Sequence, residues 1–453
     1  MEPKRYGSGY VDIAPLAQPI KFSPSGAIAK NRFMKAPMGE YLASWNPRVP
    51  SERGVPTEEL VELYRRWGEG ENGWGLIVTG NVDTHFESVS AAGNMSVTTE
   101  CKPEGTRFDM FGKVAAAGKA NGSLMVAQVT HPGRQLQHRL YPIAVAPSAI
   151  QMEPKNGVKY AKPHAATQEE IDALIEGFAY AAGYLEKAGF DGIEIHAANG
   201  YLISEFLSRA TNKRTDKYGP QTITSRLQFI TEITQAVKAR VSAKFIVGAK
   251  LNSVEFQDGG VTPQEAQELC QALEKMGIDF VELSGGTQEN LGMQWTKDST
   301  RRREAFFLEF AKIITDALGP ATKLKVYLTG GFRSAEGMVK GLSVVHGIGL
   351  GRPAAAEPRL CRDILEGRVY GAAKPAEAME NDIWGGIAVA AAQMAQIANG
   401  KEPLDTSNAQ VMDILKADIA QWQKQTLEDG EKLEYIRSVR YSGPQQPYRT
   451  TSK

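Results

Sequence analysis

Two apolar patterns alternate along the chain. Short runs rich in β-branched residues, each ending on glycine or a polar residue, recur at Arg32–Met38, Gly75–Asn81, Leu124–His131, Gly192–Ala198, Phe245–Asn252, Phe280–Gly286, Lys325–Gly331 and Gly347–Pro353. Their length and composition predict strands. Longer segments of helical period follow them at Thr57–Glu71, Arg107–Asn121, Gln168–Lys187, Ser225–Arg240, Pro263–Met276, Arg303–Leu318, Ala335–Gly341 and Pro358–Glu366. Thr167 with Glu170 and Thr262 with Glu265 read as capping boxes, the second with Pro263 at the first helical position. Gly189 and Gly277 stand just past helix ends, where a left-handed residue closes the last turn. A strand–helix unit repeated about eight times predicts an α/β fold of the (β/α)8 TIM barrel type, with an open doubly wound sheet as the alternative. A barrel places functional residues at the C-terminal ends of its strands and in the loops just after them.

Beyond residue 370 the pattern changes. Asn381–Ala398 is alanine-rich, Asn399–Gly400 makes a helix stop, Ala409–Trp422 reads as a further helix, and the tail from Ser442 is rich in proline, glutamine and threonine. The expected organisation is a barrel over residues 1–370 and a C-terminal helical extension with a tail over 371–453, packed on the barrel or on a partner subunit. The alanine-rich stretch is too short and too weakly apolar for a membrane span.

Composition narrows the function classes. The 453 residues fit one barrel with insertions. With 52 basic and 52 acidic residues the net charge is +0, which gives no general pull toward nucleic acid or an anionic membrane. Cys101, Cys270 and Cys361 lie far apart without a CxxC, so neither a metal site nor an iron–sulfur framework is expected. The N-terminus lacks the apolar core of a signal peptide, and the expected location is cytoplasmic, as a monomer or homo-oligomer.

The segment Asp191–Tyr218 carries the most chemistry. Period-two alternation sets Ile193 and Ile195 on one side of a strand and Glu194 and His196 on the other. His196 then sits near the rim, and Asn199 and Tyr201 follow in the loop. An imidazole and a carboxamide there can donate hydrogen bonds to one oxygen, while a phenol two residues on stays protonated and can act as an acid. Polarising a carbonyl and supplying a proton is what hydride addition to a conjugated enone requires. Singly, each residue reads more simply as a strand cap or a turn; together, beyond a strand, they favour a site.

The run His-Ala-Ala-Asn-Gly-Tyr-Leu (His196 onward), followed by Asn-Lys-Arg-Thr-Asp-x-Tyr-Gly (Asn212 onward), resembles the Old Yellow Enzyme family of FMN-dependent ene-reductases. The resemblance extends from about Pro15 to about Arg359. It implies that His196 and Asn199 bind a substrate carbonyl oxygen and Tyr201 protonates the adjacent carbon, with non-covalent FMN as the cofactor. Gln128 matches a glutamine at the flavin pyrimidine edge, and HPGRQ (His131 to Gln135) resembles the HAGRQ of bacterial-type members. Pro37 and Met38 lead into Gly39, where related members often carry cysteine or threonine, and Tyr41 matches a substrate-pocket tyrosine. Lys250 stands where an arginine usually faces the flavin; it supplies charge without a planar two-point contact. Residue by residue, the alternatives are a barrel-interior polar group at Gln128, a packed aromatic at Tyr41 and a structural salt bridge at Lys250.

The last two strands end in Gly330–Gly331–Phe332 and in Gly349–Leu350–Gly351–Arg352. Barrels bind phosphate with the loops after strands seven and eight; glycine lets backbone N–H groups approach the anion and arginine adds charge. Gly80 and Gly285–Gly286 allow close ligand approach with weaker support. Arg301–Arg303 read as a solvated helix start, and Thr287–Thr300 has no readable chemistry. Without a GxGxxG after a strand, NAD(P)H is expected as a transient hydride donor sharing the flavin face. The resulting expectation is NAD(P)H-dependent reduction of a small-molecule enone or related activated alkene. The alternatives are an amine demethylase or dienoyl reductase on the same barrel, against which the scattered cysteines count, and a phosphate-binding lyase or isomerase using Lys250 as a Schiff base.

Overall fold

Eight parallel strands pair edge to edge until the last meets the first. In the computed structural model they are β1 (Phe33–Lys35), β2 (Leu76–Asp83), β3 (Leu124–Thr130), β4 (Gly192–Ala197), β5 (Ile246–Asn252), β6 (Phe280–Ser284), β7 (Lys325–Thr329) and β8 (Gly347–Leu350). Met34 pairs with Leu76, and Ile348 pairs with Phe33, so the ring closes through β1. The structure describes residues 4–7, 9–155, 157–287, 289, 300–376, 383–434 and 438–449, the side chains of 300–306 and 383–384 excepted. The predicted (β/α)8 barrel is the fold, and each predicted strand is present.

Alternation along the strands sorts side chains between two cores. Met34, Leu76, Val78, Val126, Ile246, Phe280 and Tyr327 pack together along the barrel axis. Their neighbours, among them Ile77, Ala127, Ile193, Val247, Val281 and Val326, belong to the larger core beneath the helices. A short antiparallel hairpin, Ile20–Lys21 with Ile28–Ala29, adds Ile20 and Phe22 to the axial core. The rings of Phe22, Phe280 and Tyr327 lie 5.8 to 6.5 Å apart and plug the floor. Space for them comes from glycines on the neighbouring strands. A Cβ on Gly248 would lie 2.3 Å from the Phe280 ring, and one on Gly347 would lie 2.3 Å from that of Tyr327. With the floor filled, the usable opening is at the C-terminal ends of the strands.

Helix Gln168–Lys187 begins with the Thr167–Glu170 capping box, and helix Pro263–Lys275 with the Thr262–Glu265 box. A third box, Thr222 with Ser225, opens helix Ile223–Arg240. Two small features escape the hydrophobic pattern. Met95–Ser96 pairs onto the end of β2, and Ile143–Ala146 pairs with Lys162–Ala165 in the long loop after β3. Segments this short carry too little alternation to be seen without their partners. All three cysteines are buried and unbridged.

The described part of the C-terminal extension packs on its own barrel. Helix Ile383–Ala398 lies against helix Glu58–Trp67 and the short helix Arg352–Ala356, and a further helix runs from Ala409 to Asp429, past the Trp422 predicted. Near the chain end Tyr448 is clasped between Arg66, 4.0 Å away, and Arg359, 4.5 Å away, and Arg359 is held by Glu402 at 2.9 Å. Leu433 packs with Val89, Ala92, Leu136 and Leu140 from loops at the mouth, and its carbonyl accepts from Trp45 Nε1 at 3.2 Å. Among the described residues no helix is long and apolar enough to cross a membrane.

Replacing Tyr448 by alanine removes a buried ring and two cation–π contacts. Tyr448→Ala is expected to cost about 2–4 kcal/mol, read as a lower midpoint in urea unfolding. An unchanged midpoint would show that the tail does not brace the barrel.

Candidate active site

The end of β4 follows the predicted alternation: Ile193 and Ile195 enter the outer core, while Glu194 and His196 are buried on the opposite side. Immediately after, Asn199 (φ 56°) and Gly200 (φ 78°) are both left-handed. Asparagine is among the few non-glycine residues that tolerate this region. The double turn folds Tyr201 back over His196, with ring centroids 4.3 Å apart and planes at 36°. Neighbouring elements fix the turn on two sides. The Asn199 N–H donates to Asn252 Oδ1 on β5 at 3.0 Å, and its carbonyl accepts from Gln135 Nε2 at 2.7 Å. Asn199 Nδ2 reaches the Gly286 carbonyl only at 3.5 Å, a weak contact.

Electrostatics set the protonation of this group. Burial, then the nearby Lys250 ammonium, hold the His196 pKa well below its usual value, so the ring is neutral. Its Nδ1 lies 3.4 Å from the Ala198 N–H and serves as the acceptor, which leaves the hydrogen on Nε2. Tyr201 has its pKa raised by removal from water and then by Tyr41, so the phenol keeps its proton. Its oxygen accepts from Asn81 Nδ2 at 3.2 Å.

Below this group the barrel interior turns polar. Lys250 pairs with His196 in strand register, and its Nζ lies 3.2 Å from Glu282 Oε1, with the two side chains 9% and 0% exposed. Gln128 Nε2 donates to Glu194 Oε2 at 2.6 Å. Burial and then the adjacent Glu282 push the Glu194 pKa far above the carboxylate range, so this side chain holds a proton. Among the described residues Glu194 Oε1 and Glu282 Oε2 accept from no other side chain, and the Glu194 proton is what the two carboxyls share. The structural salt bridge considered for Lys250 is therefore present, and Gln128 is a paired interior group. Neither Glu194 nor Glu282 was singled out from sequence. Their pairing becomes visible only once Lys250 is set opposite Glu282 in register.

After β1, Pro37, Met38 and Gly39 are half-buried at the mouth. Tyr41 is itself left-handed (φ 56°), and its ring folds over Gly39 so closely that a Cβ there would lie 2.6 Å from Tyr41 Cζ. The phenol occupies the volume that a side chain at position 39 would take. Gly80 permits a tight approach of the β1 and β2 ends: its N–H donates to Glu40 Oε1 at 2.7 Å, and a Cβ would meet Glu40 Oε2 at 2.2 Å. Glu40 also accepts from the Tyr64 hydroxyl.

At the opposite side of the mouth, Gly330 (φ 141°) and Gly331 (φ 81°) end β7, and Gly351 leads into helix Arg352–Ala356. Gly386 of the C-terminal extension leaves room for the Arg352 guanidinium; a Cβ would lie 2.5 Å from its Nη1. Phe332 separates from this group, since its ring is buried in the main core beside Gly341 and only its backbone follows the glycines. Gly285 and Gly286 end β6, where Phe307 fills the space a Cβ on Gly285 would need. Most of Thr287–Thr300 and the side chains of Arg301–Arg303 lie outside the described residues.

A model of the NADH:flavin oxidoreductase / NADH oxidase family matches residues 15–370, which include the barrel strands and the candidate site residues. The chain is 48% identical over 417 residues to the NADH-dependent flavin oxidoreductase nadA of Aspergillus parasiticus, covering 91% of this chain and 92% of that protein. A 2-naphthoyl-CoA reductase in complex with 2-naphthoyl-CoA superposes with a TM-score of 0.68 at 25% identity, over 78% of this chain and 52% of that larger one. An old yellow enzyme homologue from Zymomonas mobilis shares the fold, with a TM-score of 0.63 at 24% identity over 81% of this chain and 98% of that one. The chain therefore belongs to the NADH:flavin oxidoreductase / NADH oxidase family, the Old Yellow Enzyme family of FMN-dependent oxidoreductases that draw their electrons from a reduced nicotinamide.

Proposed function

We propose that this enzyme reduces the activated carbon–carbon double bond of an α,β-unsaturated carbonyl compound, with Tyr201 as the proton donor. The observation that carries the reading is the Tyr201 phenol folded over a neutral His196 at the barrel mouth, 4.3 Å between centroids. When bound, FMN supplies the hydride that adds to the β-carbon. His196 Nε2–H and Asn199 Nδ2 hold the carbonyl oxygen and stabilise the charge that develops on it. Tyr201 delivers its proton to the α-carbon. Tyr41, near enough to Tyr201 to raise its pKa, lines the pocket from the loop after β1.

The residues present suit FMN. Gln128 and Lys250, buried hydrogen-bond donors on β3 and β5, would hold the pyrimidine edge. Pro37, Met38 and Gly39 line the β1 side, with Gly80 behind them. The Gly330–Gly331 turn, with the Phe332 backbone, and Gly351–Arg352 receive the phosphate, as the β7 and β8 loops of barrels commonly do. Reduced nicotinamide docks on the face that the alkene later occupies.

Two experiments test this reading. The purified protein should show flavin absorbance and release FMN on heating; a colourless protein that takes up no added FMN would sink it. Tyr201→Phe should retain FMN and its reduction by NADH while slowing reduction of 2-cyclohexenone by about 10²- to 10⁴-fold. A wild-type rate in that variant would remove the proton-donor assignment.

Lys250 has two roles to separate. Lys250→Met strands Glu282 and should lower apo-protein stability by about 3–5 kcal/mol. It should also weaken FMN binding roughly 10- to 100-fold through loss of a charged hydrogen bond. Adding Glu282→Leu should restore the stability without restoring FMN affinity. If affinity returns as well, Lys250 serves the scaffold and not the flavin.

A further inference from the structure

One buried carboxylate, which the proposed reaction does not use, grips the chain on both sides of Tyr201. Glu255, in the loop after β5, is 5% exposed. Its Oε1 accepts from Asn252 Nδ2 at 3.0 Å and from the Ser204 hydroxyl at 3.3 Å. Its Oε2 accepts from the Ser208 hydroxyl at 2.7 Å, the Val261 N–H at 3.2 Å and Gln257 Nε2 at 3.3 Å. Ser204 lies in the short helix Leu202–Leu207, whose N-cap is Tyr201, and Ser208 ends that helix. Asn252, the last residue of β5, accepts in turn from the Asn199 N–H through its Oδ1 at 3.0 Å. Glu255 thus holds the helix after Tyr201 directly and the turn before it through Asn252.

A side-chain amide has one accepting end and one donating end, so its orientation decides what it can hold. Asn252 stands between a backbone N–H that only donates and a carboxylate that accepts. One orientation satisfies both, with the oxygen toward Asn199 and the nitrogen toward Glu255. Turned over, the amide would set donor against donor and acceptor against acceptor. Glu255 therefore fixes which end Asn199 meets. Burying a carboxylate is costly unless hydrogen bonds replace its water, and the donors around Glu255 do so. Asn199 needs the support, because at φ 56° it occupies a region that a non-glycine residue keeps only when its surroundings hold it. Gln135 Nε2 holds its carbonyl at 2.7 Å, and Asn252 holds its N–H. Rotation of that peptide would carry the Tyr201 ring away from His196, over which it now lies at 4.3 Å.

We propose that Glu255 is a positioning residue for the reduction: by orienting the Asn252 amide it holds the Asn199 turn, and so keeps the Tyr201 phenol where the α-carbon is protonated. The inference rests on Asn199 and Tyr201 serving the reaction as argued above. Glu255 and Asn252 act through that turn, and no proton or electron passes through them. What matters in the pair is which end donates and which accepts. It therefore tolerates an exchange of the two chemistries. In Asn252→Asp/Glu255→Gln the new carboxylate accepts from the Asn199 N–H and from the new amide, whose oxygen still accepts from Ser208 and Val261. In Glu255→Gln alone one amide must accept on both sides, which sets a donor against either Asn252 Nδ2 or the Val261 N–H.

The test uses FMN-loaded Glu255→Gln and Asn252→Asp/Glu255→Gln, checked for wild-type flavin absorbance. Each is pre-reduced and mixed in a stopped-flow instrument with 2-cyclohexenone or with ferricyanide, which takes electrons without a proton on carbon. Glu255→Gln is expected to reduce 2-cyclohexenone at least about tenfold more slowly, as a misplaced acid would, and to keep its ferricyanide rate within about threefold. The double variant is expected to recover the enone rate to within about threefold of wild type. A wild-type enone rate in Glu255→Gln overturns the proposal. So does a slowed rate that ferricyanide shares or that the double variant fails to recover. If Glu255→Gln does not retain FMN, Asn252→Ala takes its place, since it removes the amide and leaves the Ser208 and Val261 contacts; a wild-type enone rate there overturns the proposal equally. Tyr201→Phe, run alongside, must slow 2-cyclohexenone and spare ferricyanide. If it does not, the acid assignment fails, which is separate from failure of the positioning role.

Discussion

The structure turns on an ammonium and two carboxyls enclosed in the middle of a β-barrel. Lys250, Glu282, Glu194 and Gln128 come from four consecutive strands and occupy the layer between an aromatic floor and the mouth. Taking such groups from water is costly, and an aliphatic layer would be as stable or more so. Their presence is explained by what lies above them. The positive charge of Lys250 helps to keep His196 neutral, and a neutral His196 with its hydrogen on Nε2 is a hydrogen-bond donor. The proton on Glu194 lets two carboxyls share one enclosure.

This polar layer in turn requires rigid surroundings. The floor is held by Phe22, Phe280 and Tyr327, whose fit depends on glycines on adjacent strands. Above, the left-handed pair Asn199–Gly200 fixes Tyr201 over His196, and hydrogen bonds from β5 and from Gln135 hold that turn. The C-terminal extension joins the same system through Leu433, which presses on mouth loops, and through Tyr448 between two arginines. The extension is thus a brace for the loops around the candidate site.

Much of this was legible in the chain because it is local. Strand runs, capping boxes and the helix-ending glycines carry their meaning within a few residues, and His196, Asn199 and Tyr201 lie within one turn. What was not legible depends on register or on loop return. Glu282 is one polar residue in an apolar strand until β5 sets Lys250 beside it. Asp83 and the Ser90 N–H meet at 2.9 Å only because the loop after β2 folds back. Phe332 divides between the two cases: its backbone follows the phosphate-loop pattern, while the ring is drawn into the core, where burying an aromatic is worth more than lining an opening.

Two departures from the family pattern are better understood as pairs than as losses. Gly39 has no side chain to offer a flavin, yet the space is filled by Tyr41, whose left-handed backbone turns its phenol back over that position. Glycine at 39 is a condition for tyrosine at 41 to fold there, since any Cβ would strike the ring. Lys250 likewise belongs with Glu282. A lysine presents a compact charge on a flexible stem, so one carboxylate can hold it from beside while a ligand approaches from above. An arginine would present a wide fork that a single buried oxygen at this position would leave half satisfied. Under the proposed reading, the charge offered to the flavin is the ammonium moderated by its carboxylate partner, and the poise of this enzyme follows from both residues together.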